Sequence, residues 1–123
     1  MRIFLATPSY YPNIGGVEYV AKSIAERLAA LGHETTVVTG DPKTDKPLEE
    51  EINSAHVIRW PTWALSGAYH IPKRRNQLRN LLRNLLNDAD AVHIHSAHVV
   101  LTVWAAAAAR RINPDMRIVF TPH

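Results

Sequence analysis

Cysteine is absent from all 123 residues, which excludes a disulfide framework and any thiolate chemistry. A reducing cytosol suits such a chain. Long apolar runs are missing too. The stretch Ile3 to Ala6 is broken at Pro8, too brief for the core of a signal peptide or for a membrane span. The expectation is a soluble, cytoplasmic chain that meets a membrane only from its inner surface. Strong charge of either sign is lacking: 14 Lys and Arg against 11 Asp and Glu leave a formal +3, too mild to indicate nucleic acid as a partner. No pair of carboxylates of the kind glycosidases use is apparent, and no internal repeat or low-complexity tract occurs beyond Ala105 to Ala109. A chain of this length buries one core and forms one domain, but is short for an enzyme that needs two substrate-binding halves.

What is present is an alternation of strand and helix signals. Ile3-Phe4-Leu5-Ala6 is continuously apolar, as in a strand covered on both faces. From Val17 the apolar residues recur at Val20, Ala21, Ile24, Ala25, Leu28 and Leu31, a helical stripe that Gly32 stops. The β-branched run Glu34 to Thr39 follows, giving a βαβ unit with parallel strands. Gly40 to Asn53 carries two prolines, two lysines and five acids, a loop composition. Ala55 to Trp60 reads as a third strand ended by Pro61, with a loop from Thr62 to Ile71. Leu78, Leu81, Leu82, Leu85 and Leu86 mark a second helix, entered near Pro72 and ended near Asn87-Asp88. Ala89 to His95 is a fourth strand, Val99 to Arg111 a third helix terminated by Asn113-Pro114, and Arg117 to Thr121 a fifth strand.

This pattern predicts an α/β fold, a Rossmann-like doubly wound parallel sheet with helices on both faces. The fold class, rather than any residue, predicts the strand order third, second, first, fourth, fifth. Winding then reverses between the first and fourth strands and opens a ligand crevice at their carboxyl ends. Three polar segments follow strand ends there. In the first, Gly15-Gly16 opens a helix, where unpaired N–H groups favour an anion such as a diphosphate or carboxylate; a tight turn alone also explains two adjacent glycines. Glu18 suits either a sugar hydroxyl or the helix dipole. In the second, His93 and His95 point to the same face of a strand. The expectation is a packed, hydrogen-bonded His93 and a His95 that faces the crevice. A zinc hydrolase using His93, His95 and His98 is the remote alternative: the spacing resembles the His-x-His-x-Asp-His signature of metallo-β-lactamase-type enzymes, but Ala97 stands where the Asp belongs. In the third, His123 follows a strand end beside the switch point, where it can donate to developing negative charge.

The second helix carries Lys73, Arg74, Arg75, Arg79 and Arg83, with Arg75, Arg79 and Arg83 four residues apart and opposite the leucines. Two readings stand: a solvated polar face, or a surface that docks on anionic lipid head groups or a phosphorylated carrier. Trp63 and Tyr69 just upstream suit an interface, a core or an acceptor pocket.

In order, Pro12-Asn13-Ile14-Gly15-Gly16-Val17-Glu18, Leu28 through Thr39, Asp90-Ala91-Val92-His93-Ile94-His95 and Val119-Phe120-Thr121-Pro122-His123 resemble the amino-terminal domain of retaining GT-B glycosyltransferases, family 4. The resemblance implies a two-domain enzyme in which this half receives the acceptor and a carboxyl-terminal Rossmann-like half, missing here, holds a nucleotide-sugar donor. A hexosyl group is transferred between them with retention of configuration, usually without a metal or other cofactor. It implies donor contacts at Gly15 and Gly16, a catalytic contact from His123, and acceptor contacts from Tyr11, Asn13, Glu18 and His95, the acceptor being a sugar, a lipid-linked group or a small molecule. His33 is expected to be structural. This chain alone is expected to be nearly inactive. A non-catalytic module that binds a phosphorylated metabolite at the glycine turn is the alternative of a different class.

Overall fold

A computed structural model describes residues 1–8, 10, 16–65, 69–96 and 100–121. In chain order the elements are β1 (Arg2–Thr7), α1 (Gly16–Ala30), β2 (Glu34–Asp41), β3 (Leu48–Ile52), β4 (Ala55–Leu65), β5 (Tyr69–Pro72), α2 (Arg75–Asn87), β6 (Ala91–His95), α3 (Val100–Ile112) and β7 (Arg117–Thr121). The sheet runs β3-β4-β2-β1-β6-β7, with β5 paired to β4 off this path. Five strands, β4, β2, β1, β6 and β7, are mutually parallel, which is the predicted order.

Alternation along the strands sorts side chains onto two faces. Leu5, Val37 and Val57 stand in register and pack with Ala21 and Ala25 of α1 on one face. Phe4, Ala6, Val38, Ile58, Val92 and Ile94 face the other way and meet α2 and α3. In α2 the leucines at 78, 82 and 86 are buried, a four-residue spacing that holds one stripe against the sheet. Ala105 and Ala109 do the same for α3 with side chains small enough for close approach.

Two segments depart from the sequence reading. Leu48–Ile52, expected as loop, is an edge strand antiparallel to β4. Asn53 and Ser54, with φ of 49° and 71°, form the two-residue turn whose positive φ values suit a hairpin. Two of the three glutamates in the strand have partners on β4: Glu50 accepts from the buried Arg59 guanidinium at 2.8 Å, and Glu49 lies 2.8 Å from His56 Nε2. Pro61, expected as a terminator, instead marks a change of partner within β4. It is the last residue paired with β2, and from Thr62 onward β4 pairs with β5. Proline is tolerated there because one ladder ends as the other begins.

Helix α2 also starts later than Pro72. Arg74 is left-handed, at φ 53°, and Leu78 N–H donates to its carbonyl. The Trp60 indole donates to the Lys73 carbonyl at 2.6 Å, and Lys73 N–H to Pro61 carbonyl at 2.9 Å, so the helix entrance is tied to β4. Among the described residues no helix is long and apolar enough to cross a membrane.

Leu78→Ala empties a site with no exposure and should lower unfolding free energy by about 2–5 kcal/mol. Arg83→Ala, one helix turn on but exposed, should stay within about 0.5 kcal/mol. Urea denaturation of the two variants checks the assignment of the α2 faces.

Candidate functional site

Winding reverses where β1 lies beside both β2 and β6, so the crevice opens at the ends of β1 and β6. Around it stand the start of α1, the end of β6 and the end of β7. Gly16 is the first residue of α1, which puts its N–H among the unpaired donors of the first turn. Glu18 follows in that turn, half-buried. Tyr11, Asn13, Gly15, His98 and His123 lie outside the described residues.

His93 and His95 do share a face. Their rings stack with centroids 4.3 Å apart at 22°, and His93 Nε2 lies 2.6 Å from the Thr121 hydroxyl of β7. His93 is thus the packed, hydrogen-bonded sheet residue that was expected. His95 is fully buried, with its ring stacked on that of His93. Among the described residues no group of three or more His, Cys, Asp or Glu side chains gathers.

The exit from β6 holds a feature that no sequence signal exposed. Ser96 has φ of 56°, a left-handed conformation uncommon outside glycine. Its N–H donates to the Thr121 carbonyl at 3.0 Å, and its carbonyl accepts from the Thr102 hydroxyl at 2.7 Å. One residue of β7 therefore holds His93 through its side chain and Ser96 through its backbone. The polypeptide leaving Thr121 toward His123 starts from this clamp. Hydroxyl residues at 96, 102 and 121 are the only trace of it in the sequence.

Tyr10 is the second omission. It is fully buried among Leu5, Ala21, Ala25, Val37 and Val57, and its hydroxyl has no hydrogen-bond partner among the described residues. Tyr10 therefore fastens the polypeptide just after β1 to the packed face of α1. Burial, aided by the Glu26 charge and opposed by Arg59, pushes the phenol up to about 12. Glu26 nearby is also subject to burial, which acts to raise it, yet hydrogen bonds from Asn53 at 2.8 Å and Lys22 at 3.2 Å hold its carboxyl below the usual range.

Four of the five basic residues singled out in and before α2 meet an aromatic ring, a carbonyl or a groove between the helices. Lys73 Nζ lies 5.6 Å from the centroid of Trp63, and Arg75 Cζ lies 5.6 Å from that of Trp104. Arg74 donates to the Asp45 carbonyl at 3.3 Å. Arg79 lines a groove between the helices with Leu82, Trp104 and Arg111. A cavity of ≈ 250 Å³ bordered by Arg2, Glu34 and Asp88 lies where the strands begin, at the end remote from the crevice.

With this geometry in view, residues 14–123 match the family model described as Glycosyltransferase Family 4. The chain is 31% identical over 128 residues to the alpha-monoglucosyldiacylglycerol synthase of Acholeplasma laidlawii, an alignment covering 100% of this chain and 30% of that protein. It is 27% identical over 123 residues to a GDP-mannose-dependent alpha-mannosyltransferase of Mycolicibacterium smegmatis, covering 98% and 32%. A solved structure described as trehalose-6-phosphate from E. coli bound with UDP-2-fluoro glucose matches with a TM-score of 0.54 at 16% identity, over 100% of this chain and 33% of that one; this is a likeness of fold. The chain spans about a third of the length of the curated relatives it matches.

Tyr10 yields a measurable titration. An unfolded chain loses the phenolic proton near 10.0 and the folded one near 12, so between those values the folded state binds more protons and stability falls as pH rises. The slope should be up to about 1.4 kcal/mol per pH unit. Tyr10→Phe should remove that part of the alkaline loss, read as the difference between the urea midpoints of the two proteins across this range.

Proposed function

The chain belongs to glycosyltransferase family 4 and has the Rossmann-like architecture of the amino-terminal half of a GT-B fold, and on that premise we propose that it is the acceptor-side domain of an enzyme transferring a hexosyl group from a nucleotide sugar to an acceptor, with retention of configuration. The observation that carries this reading is the convergence of the α1 start, the β6 exit and the β7 end on one rim. The names of the two curated relatives lend support, one being a synthase of a monoglucosyl lipid and the other dependent on GDP-mannose.

In this reading the leaving group is a nucleoside diphosphate, and the chemistry turns on stabilising its growing charge with aimed donors more than on a strong nucleophile. The N–H groups at Gly15 and Gly16 supply such donors, reinforced by the α1 dipole. His123, two positions beyond the clamped Thr121 in the sequence, contacts the transferred sugar. Tyr11, Asn13 and Glu18 bind the acceptor side. His95, at the end of β6 and stacked on His93, shapes the acceptor side. The nucleotide is gripped by a second half, for which the longer relatives have room, and these 123 residues on their own are nearly inactive. No cofactor is assigned to this half.

In the full-length enzyme His123→Ala should lower kcat by roughly 10²–10³-fold with unchanged thermal unfolding. Unaltered turnover would remove His123 from the reaction. Calorimetric titration of the present chain with nucleotide sugars should give only weak binding, and tight binding would overturn the assignment of the nucleotide to the other half.

A further inference from the structure

Backbone strain at the β6 exit has a definite cause. Ser96, buried and at φ 56°, occupies a region that is costly for a residue with a side chain and persists only where neighbours enforce it. Two neighbours do so. The Thr121 carbonyl accepts from the Ser96 N–H at 3.0 Å, and the Thr102 hydroxyl donates to the Ser96 carbonyl at 2.7 Å. Thr102 is itself fully buried in α3, so the strained residue is held between a packed helix and the end of β7.

Thr121 also reaches β6 with its side chain. Its hydroxyl lies 2.6 Å from His93 Nε2, at the short end of the hydrogen-bond range. Such a bond selects one orientation of a ring whose outer torsion is otherwise broad. His95 stacks on that ring, with centroids 4.3 Å apart and planes 22° from parallel, so a single hydroxyl orients two imidazoles. The ladder has no need of it: His95 and Thr121 are already partners along β6 and β7, and valine suits a strand equally well. What the threonine adds over valine is the oxygen.

Position gives these bonds a consequence. Among the described residues β7 pairs only with β6, and its Val119 and Phe120 are half exposed, so the end of this strand takes its direction from β6 alone. Pro122 and His123 follow Thr121 in the sequence. Proline narrows its own backbone choices and those of the residue before it, so the direction set at Thr121 is passed on over a short, stiff link. Thr121 thus stands between the segment that carries His123 and the β6 exit that shapes the acceptor side.

We propose that Thr121 is a positioning residue for sugar transfer. Its hydroxyl orients His93 and, through the stacked rings, His95, while its carbonyl holds Ser96, so the two sides of the rim are set relative to each other by one residue. Thr121 acts through these groups and not by contact with a substrate. The assignment rests on the transfer reading for the role of His123 and adds to it the residue that places His123.

The test uses the full-length enzyme with UDP-glucose and GDP-mannose as donors and water as acceptor, read as release of nucleoside diphosphate. Thr121→Val should lower kcat by roughly 10–100-fold, the cost of a misplacement on the order of 1 Å, with the donor KM unchanged. Thr121→Ser, which keeps the hydroxyl, should restore most of that loss. His93→Phe keeps a ring to stack but has no nitrogen to bond, so it should lose as much as Thr121→Val, and the double variant should lose no more than either. Wild-type kcat in Thr121→Val, no recovery in Thr121→Ser, or additive losses would each overturn the proposal. Imidazole nitrogen shifts read by NMR on the present chain need no substrate and no turnover: Thr121→Val should move those of both His93 and His95 and leave those of His33 and His56 in place. A change confined to His93 would break the relay and also overturn it. His123→Ala tests the transfer reading separately. Normal turnover there beside an impaired Thr121→Val would fault that reading and keep the clamp, and the converse would overturn the clamp alone.

Discussion

Pairing of β1 with β2 on one side and β6 on the other is the constraint from which the remaining architecture follows. A crossover between parallel strands is right-handed, so moving outward from β1 in opposite directions sends the connecting helices to opposite faces. Helix α1 covers one face and α2 with α3 the other. No connection can bridge the place where the directions part. The polypeptide must turn away from both sides of that gap, and backbone donors and strand-end side chains are left around it.

The elements built on burial were legible in the sequence because burial demands periodicity. Leu78, Leu82 and Leu86 reveal α2 by spacing alone, and Ile3 to Ala6 and Thr35 to Thr39 reveal central strands by continuous apolar or β-branched composition. The elements built on pairing were not. β3 contains Glu49-Glu50-Glu51, which no strand preference favours; on the adjacent strand Arg59 supplies a counter-charge to Glu50 and His56 a hydrogen-bond partner to Glu49. Pro61 reads as a stop because a missing N–H usually interrupts a ladder, and nothing local reveals that two ladders meet there.

The rim shows the same division. That His93 and His95 share a face follows from the two-residue repeat of a strand, whereas the burial of His95 depends on ring stacking and packing that the repeat does not encode. Ser96 occupies a conformation ordinarily left to glycine, held by Thr102 and Thr121 from two other elements. Tyr10 carries no motif at all, and its importance comes from where the fold buries it. Sequence signals thus identify which segments reach the crevice, while contacts between distant segments decide which side chains remain open to it.

The two margins of the sheet differ in their tolerance of neighbours. Along β3 the exposed carboxylates of Glu49 and Glu51 set like charges against any identical strand that approaches. Along β7 Val119 and Phe120 are about half exposed, at 50% and 51%, and Arg117 is the only charge in the strand. Of the two margins it is therefore β7 that lacks the like-charge repulsion β3 sets against an identical strand.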